Sequence, residues 1–145
     1  MKVRCVTNRP TPALMEYLGY DPAQECVFDN VTPGTLYAVL GLRIMGHESA
    51  YGPGATIEFK DDHGIWGLAP LCLFTIVDPR PSGLWIACNQ RMNELSLWPR
   101  SFSERPYYHS DLLDGVPEVV EDFHRVCKAI EEEFTEEYDS SSRSA

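Results

Sequence analysis

The segment that decides the fold is residues 55–69, with the sequence ATIEFKDDHGIWGLA. Apolar and polar side chains alternate in its first six residues, so that Ile57 and Phe59 are predicted to share one face. This period of two is typical of a β-strand that buries one face. Residues 61–64 end in Gly64, which can adopt the positive φ of a tight turn, and apolar residues follow. The segment therefore predicts an antiparallel β-hairpin.

Similar short apolar runs flank the hairpin and are separated by turns that contain Gly or Pro. This spacing predicts a small antiparallel sheet or a partly closed barrel of five to seven strands. The predicted strands are Lys2–Thr7, Leu36–Met45, Ala55–Lys60, Ile65–Ala69, Leu71–Val77, Leu84–Asn89 and Leu95–Trp98. The run at 71–77 is almost continuously apolar, which is typical of a central strand. A short helix is predicted over residues 11–19, and Gly19 ends it.

The segment from Val116 to Tyr138 has a helical period instead. Its apolar residues recur three and four positions apart, as on one stripe of a long amphipathic α-helix. They are Val119, Val120, Phe123, Val126, Cys127, Ile130, Phe134 and Tyr138. Asp114 or Gly115 is a candidate cap, and Pro117 suits the first helical turn. We expect this helix to pack on the sheet, with its acid-rich final turn frayed.

These elements predict a single α+β domain over residues 1–139 and a disordered tail over residues 140–145. No apolar run approaches the length of roughly 18 residues that a membrane span needs. The first residues lack the apolar stretch and cleavage site of a signal peptide. We therefore expect a soluble, cytoplasmic protein.

The charge of the chain is concentrated near its C-terminus. The whole chain has 12 basic and 22 acidic residues, a formal charge of −10, and residues 111–139 hold 11 of the acids against Arg125 and Lys128. Such a negative field repels nucleic acid and anionic membranes, and it attracts a cationic protein. The alternative is a solvated acidic helix face that only aids solubility.

The sequence contains no recognisable catalytic or metal-binding motif. The five cysteines have no Cys-x-x-Cys spacing, the four histidines are far apart, and no phosphate-binding glycine loop is present. We predict reduced thiols, with Cys5, Cys72 and Cys88 buried in strands, and neither metal, cofactor nor enzymatic activity. An alternative stays open: a small enzyme or ligand-binding domain with a pocket between sheet and helix, lined by Trp85 or Trp98.

Tyrosines beside carboxylates are good protein-binding surfaces, because tyrosine is a rigid anchor and acids complement a basic partner. Such a group lies just before and at the start of the long helix, and the turn of the hairpin is a second acidic site. The predicted protein-binding residues are Asp61, Asp62, Tyr107, Tyr108, Asp111, Asp114, Glu118 and Glu121.

Several short motifs also follow one another in a recognisable order. They are Val31–Gly41, Asp61–Gly64, Ala69–Asp78, Trp85, Leu97–Pro99 and Leu113–Pro117. This order resembles small bacterial immunity proteins, which are encoded beside polymorphic and contact-dependent toxins. The resemblance spans roughly residues 31–134 and implies a non-catalytic domain that neutralises a cognate, basic toxin by occluding it. A further alternative is an accessory subunit that contributes only an interface, and the oligomeric state is left open.

Overall fold

The computed structural model describes residues 1–46, 54–89 and 94–138. Seven strands lie in these residues: β1 Lys2–Cys5, β2 Leu36–Met45, β3 Gly54–Lys60, β4 Trp66–Pro70, β5 Phe74–Asp78, β6 Trp85–Cys88 and β7 Glu94–Pro99. The α-helices are α1 Pro12–Tyr17, α2 Arg100–Glu104, α3 Tyr108–Leu113 and α4 Pro117–Glu133, and a 3₁₀ turn covers Leu71–Leu73. The predicted tail at 140–145 falls outside the described residues.

Strand β2 is the centre of one antiparallel sheet. Strand β3 pairs along one of its edges, and the other edge is shared between β1, at residues 36–38, and β7, at residues 42–45. Strand β4 extends the sheet beyond β3, β5 beyond β1, and β6 beyond β7. The expected antiparallel sheet with a C-terminal helix is confirmed, and the sheet is open rather than closed into a barrel.

The two faces of the sheet support two separate hydrophobic clusters. The first cluster contains Met1, Val3, Cys5, Val31, Tyr37, Val39, Ile57, Phe59, Ala69, Leu73 and Phe74. The second lies between the sheet and helices α2–α4 and contains Leu40, Trp98, Phe102, Tyr108, Val119, Phe123, Val126, Cys127, Ile130 and Phe134. A register shift between Val39 and Gly41 leaves an extra residue in β2, which is a β-bulge.

Helix α4 confirms the predicted apolar stripe, because its buried residues are Val119, Phe123, Val126, Cys127 and Ile130. It ends at Glu133 rather than Tyr138. The last turn holds acids and no basic residue, which the negative end of the helix dipole disfavours. The prediction of Asp114 or Gly115 as its N-cap was wrong, because the N-cap is Val116, Asp114 is the C-cap of α3 and Gly115 follows with a φ of +73°. Pro117 lies in the first turn as expected.

One strand-level prediction was wrong. The run at 71–77 is not a central strand: it begins as the 3₁₀ turn and continues as β5 at one end of the sheet, where Thr75 and Ile76 are exposed. The ligand-pocket alternative placed Trp85 or Trp98 between sheet and helix; Trp98 lies there, whereas Trp85 packs on the first cluster. The indole Nε1 of Trp85 donates to the carbonyl oxygen of Leu40 at 2.9 Å, which holds the ring there.

The five cysteines are free thiols, as predicted. Cys5 is buried and Cys88 is half-buried, but Cys72 is exposed because the 3₁₀ turn replaces the expected strand. Within the described residues, no helix is long and apolar enough to cross a membrane.

Gly41 provides a test of the packing at the bulge. A Cβ at this position would lie 2.6 Å from Cδ1 of Trp98, a ring that is almost completely buried. Gly41→Ala is therefore expected to lower the free energy of unfolding by about 1–3 kcal/mol, measured by urea denaturation. Gly83→Ala is the matched control, because its nearest atom is 3.5 Å away, and it should change stability little. Equal effects of the two substitutions would contradict the packing.

Candidate functional site

The centre of the site is Glu58, a carboxylate that is fully buried on the helix-facing side of β3. Its Oε1 accepts from Arg43 Nε at 2.8 Å and lies 2.6 Å from Arg43 Nη2. Its Oε2 lies 3.1 Å from Nε2 of His109. Arg43 comes from the neighbouring strand and His109 from α3, so this carboxylate joins the sheet to the helical layer. A buried charge needs such partners, because leaving it unpaired in the interior is costly.

Aromatic rings surround the imidazole of His109. Their centroids lie 4.8 Å away for Trp66, 5.2 Å for Trp98, 5.4 Å for Phe102 and 5.6 Å for Tyr108. The guanidinium of Arg43 stacks over the Trp98 ring at 4.7 Å from its centroid. The ion-pair network is therefore enclosed by rings, which strengthens its electrostatic interactions by excluding water.

The pKa of Glu58 reflects this arrangement. Burial by itself would raise it, but the hydrogen bond with His109, the charge of His109 and the guanidinium of Arg43 together hold the pKa below its ordinary value. The carboxylate thus stays ionised under neutral conditions.

A cleft of about 560 Å³ lies next to this network. It is formed where β2, β4 and β7 meet the segment that carries α2 and α3. Its lining residues are Arg43, Trp66, Glu94, Trp98, Phe102, Arg105, Pro106, Tyr107, Tyr108, His109, Ser110 and Leu113. Aromatic and apolar side chains predominate, with a few charged groups among them, which is the usual composition of a binding pocket.

Tyr107 stands out among these residues. It has a φ of +63°, and among the described residues it is the one non-glycine with a positive φ. Its side chain is 80% exposed, and Leu113, another residue of the cleft, is 66% exposed. A left-handed conformation costs a residue with a Cβ about 1 kcal/mol or more, so it is typical of turns and functional positions. The strained backbone presents an aromatic ring to solvent at the rim of the cleft.

Tyr108 has the opposite environment, although the sequence grouped it with Tyr107. It is 3% exposed, its ring packs on Phe102, and its hydroxyl donates to Asp122 at 2.8 Å. Burial and this hydrogen bond raise its pKa above the ordinary range. Tyr108 begins helix α3 and its side chain enters the second cluster, so little of it is exposed at the predicted contact surface.

The predicted acids of this region lie on α3, at its C-terminal cap and on α4, and they divide into two groups. Asp111 and Glu118 both bind Arg105. Oδ2 of Asp111 lies 2.9 Å from its Nε, and Oε1 of Glu118 lies 3.5 Å from its Nη2. Asp114 and Glu121 are exposed. The structure therefore brings Asp111 and Glu118 together at Arg105, which lines the cleft with Tyr107.

The hairpin residues do not belong to this cleft. Asp61 is buried, and its Oδ1 accepts from the backbone N–H groups of His63 and Ile65, so it stabilises the turn. The predicted contact residue Asp61 therefore exposes little of its side chain. Asp62 is exposed, but its carboxylate accepts from the hydroxyls of Tyr37 and Thr32, each at 2.6 Å.

Sequence reasoning missed Arg43, Glu58, Trp66 and His109 as members of the site. One sequence feature pointed to Glu58, which lies between two strongly apolar residues of a predicted strand. The alternation of apolar and polar residues in that strand nevertheless assigned Glu58 to the polar face. The residues that bind Glu58 are distant from it in sequence, so no local sequence pattern identifies them.

Among the described residues, no cluster of three or more His, Cys, Asp or Glu side chains is placed to hold a metal ion. A scan against protein-family models found no match, and searches of curated proteins and of solved structures returned no similar protein.

Proposed function

We propose that this protein is a binding domain that recognises a basic protein partner, and that it acts as an immunity protein. On this proposal it occludes a cognate bacterial toxin domain, in the cytoplasm and without catalysis. The order of sequence motifs that resembles immunity proteins supports the toxin as partner, and the geometry of the site supports protein binding.

The observation that carries the proposal is Tyr107. Tyrosine and arginine are enriched in interface hot spots, and the exposed Tyr107 lines the cleft together with Arg105. Asp111 and Glu118 bind Arg105, which lines the cleft with Tyr107, and Asp114 and Glu121 are exposed acids that follow along the chain. This charge would guide a cationic partner toward Tyr107 and raise the rate of association.

The buried network holds this surface in place. Glu58 binds His109 in α3, and Tyr107 directly precedes α3. The hydroxyl of Tyr108 binds α4 through Asp122. The contact surface therefore rests on a helix that is fixed both to the sheet and to the long helix. Such preorganisation lowers the entropy lost on binding.

Charge reversal tests this role. Asp114→Lys with Glu121→Lys is expected to slow association with an inactivated toxin domain encoded beside this gene by about tenfold at low salt. The dependence of the rate on salt should also become less steep. Stopped-flow fluorescence measures both quantities.

The matched control is Glu132→Lys with Glu137→Lys, which makes the same change in net charge at exposed positions farther along the acidic segment. This control variant should slow association with the toxin domain less than Asp114→Lys with Glu121→Lys does. If the two double variants associate at equal rates, net charge alone guides the partner, and the surface around Tyr107 is not the contact site.

The cleft favours a second candidate, a small-molecule-binding domain. A pocket between sheet and helices, lined by Trp98 and with charged groups converging on it, is what that alternative requires. Native mass spectrometry of the purified protein tests it: a retained mass that disappears on unfolding would support this candidate over protein binding.

A further inference from the structure

After helix α4 the chain returns to the end of the sheet that β1 and β5 form. Phe134, the C-cap of α4, is buried in the second cluster, and its carbonyl oxygen accepts from Nζ of Lys2 at 2.6 Å. A basic side chain is favourable there because it satisfies a carbonyl at the negative end of the helix dipole. Residues 135–138 follow without helical structure, and we call them the acidic strap. The acidic strap therefore starts from a fixed point beside β1.

The acidic strap and the sheet together line a pocket of about 270 Å³. Lys2, Arg4 and Asp78 line it from the sheet, and Glu136, Glu137 and Tyr138 line it from the acidic strap. Lys2 and Arg4 are two residues apart in β1, so their side chains lie on the same face of the strand. Two carboxylates of the acidic strap thus share one pocket with two basic side chains of β1.

The charges of this pocket are balanced by the acidic strap. Asp78 has its own cation, because Arg80 donates to it from Nε at 3.0 Å and from Nη2 at 2.5 Å. With Asp78 neutralised, the sheet contributes the two positive charges of Lys2 and Arg4 to the pocket. Basic side chains that converge on one pocket favour an anionic occupant. The carboxylates of the acidic strap match this charge, so the strap occupies the pocket as an acidic peptide.

The contacts that hold the acidic strap are weaker than those of α4. The guanidinium carbon of Arg80 lies 5.6 Å from the ring centroid of Phe134 and 5.7 Å from that of Tyr138. Glu136 and Glu137 are exposed. Interactions between exposed charges contribute little to stability, because water and salt screen them. The acidic strap should therefore open at a lower cost than the helix, while Phe134 stays in the second cluster.

We propose that this pocket binds an acidic peptide segment, and that the acidic strap occupies it in cis as an autoinhibitory, displaceable ligand. An acidic segment of another chain reaches Lys2 and Arg4 when the acidic strap lifts away after Phe134.

This inference goes beyond the proposed function and does not rest on it, because the two surfaces lie at opposite ends of α4. Arg105, in the cleft with Tyr107, binds Glu118 in the first turn of α4, whereas the acidic strap follows the other end. A helix of 17 residues is about 25 Å long.

The experiment follows the backbone amide resonances of Lys2 and Arg4 by NMR while a peptide is added. The probe is the acetylated and amidated peptide of residues 135–138, and the matched probe has glutamine in place of both glutamates. The recipient is the double variant Glu136→Gln with Glu137→Gln, whose own strap has lost its charge. We expect saturable shifts with the charged peptide in the millimolar range and about tenfold weaker binding of the neutral peptide. The amide resonance of Tyr107 should stay unchanged.

The parent protein should bind the charged peptide about tenfold more weakly than the double variant does, because its own strap competes at a high effective concentration. The matched control is Glu16→Gln with Asp29→Asn, which makes the same change in net charge at exposed positions outside the pocket. This control should bind the charged peptide as weakly as the parent. Adding Arg4→Gln to the double variant should weaken binding about tenfold, and the exposure of Arg4 means that the fold should be retained.

Equal binding by the parent and the double variant would show that the acidic strap does not occupy the site. Equal binding of the two peptides, or no effect of Arg4→Gln, would reject recognition of acidic groups by β1. Inorganic phosphate that binds as tightly as the charged peptide would reject the acidic peptide in favour of a general anion site. None of these measurements includes the toxin, so their outcome is separate from that of the proposed function.

Discussion

Replacing Glu58 by leucine is expected to lower the free energy of unfolding by about 3–5 kcal/mol. The substitution leaves the largely buried guanidinium of Arg43 and the imidazole of His109 without their acceptor. Glu104→Leu is the control, because Glu104 forms an exposed ion pair with Arg100 and its loss should cost less than about 1 kcal/mol. Urea denaturation followed by tryptophan fluorescence measures both.

A second variant separates lost pairing from altered packing. Combining Glu58→Leu with Arg43→Met removes both members of the buried ion pair and should recover part of the lost stability. If Glu58→Leu is as stable as Glu104→Leu, or if the double variant loses the sum of the two single effects, the network does not stabilise the site as described.

The same network predicts how stability depends on pH. Because the pKa of Glu58 is lower in the folded protein than in the unfolded chain, its contribution is complete above the unfolded value of about 4.3. It is lost as pH falls through the folded value. Between neutral and acidic pH, the parent should therefore lose more stability than Glu58→Gln. Parallel curves for the two proteins would show that the ionised form of Glu58 is not favoured by folding.

Replacing Tyr107 by glycine should separate stability from binding. Glycine adopts a φ of +63° without strain, and the lost side chain is 80% exposed, so stability should stay constant or rise by up to about 1 kcal/mol. Partner affinity should fall by about 2 kcal/mol or more, roughly thirtyfold, because the aromatic anchor is gone. Thermal unfolding and calorimetric titration provide the two values.

The neighbouring tyrosine should respond in the opposite way. Tyr108→Phe removes the buried hydroxyl that binds Asp122 and should cost about 1 kcal/mol of stability without changing partner affinity. If Tyr107→Gly destabilises the fold and leaves affinity intact, Tyr107 has a structural role and the proposed contact surface is wrong.

The elements with a strong period were predictable from the sequence. The hairpin of β3 and β4 and the apolar stripe of α4 follow from alternation and from three- and four-residue steps, which burial of one face imposes directly. The run at 71–77 was misjudged because a short apolar segment is equally compatible with an edge strand that follows a turn. Its position in the sheet depends on β1, which is distant in sequence.

The site was only partly predictable, for a related reason. Composition identifies Tyr107 and the surrounding acids as candidates, but it does not distinguish Tyr107 from Tyr108. That difference arises because α3 begins between them and buries one ring. Glu58 was assigned to a polar face because the alternation of residues in a strand shows only which side chains share a face. It does not show that α3, later in the chain, packs His109 against that face.

The central claim is that the surface around Tyr107 binds and blocks a basic toxin domain. Its most direct test is calorimetric titration of the parent protein with the inactivated toxin domain encoded beside its gene, paired with an activity assay of the active toxin. The account predicts tight binding at one-to-one stoichiometry and loss of toxin activity at the same ratio. Absence of binding by the folded protein, or binding that leaves the toxin fully active, would contradict it.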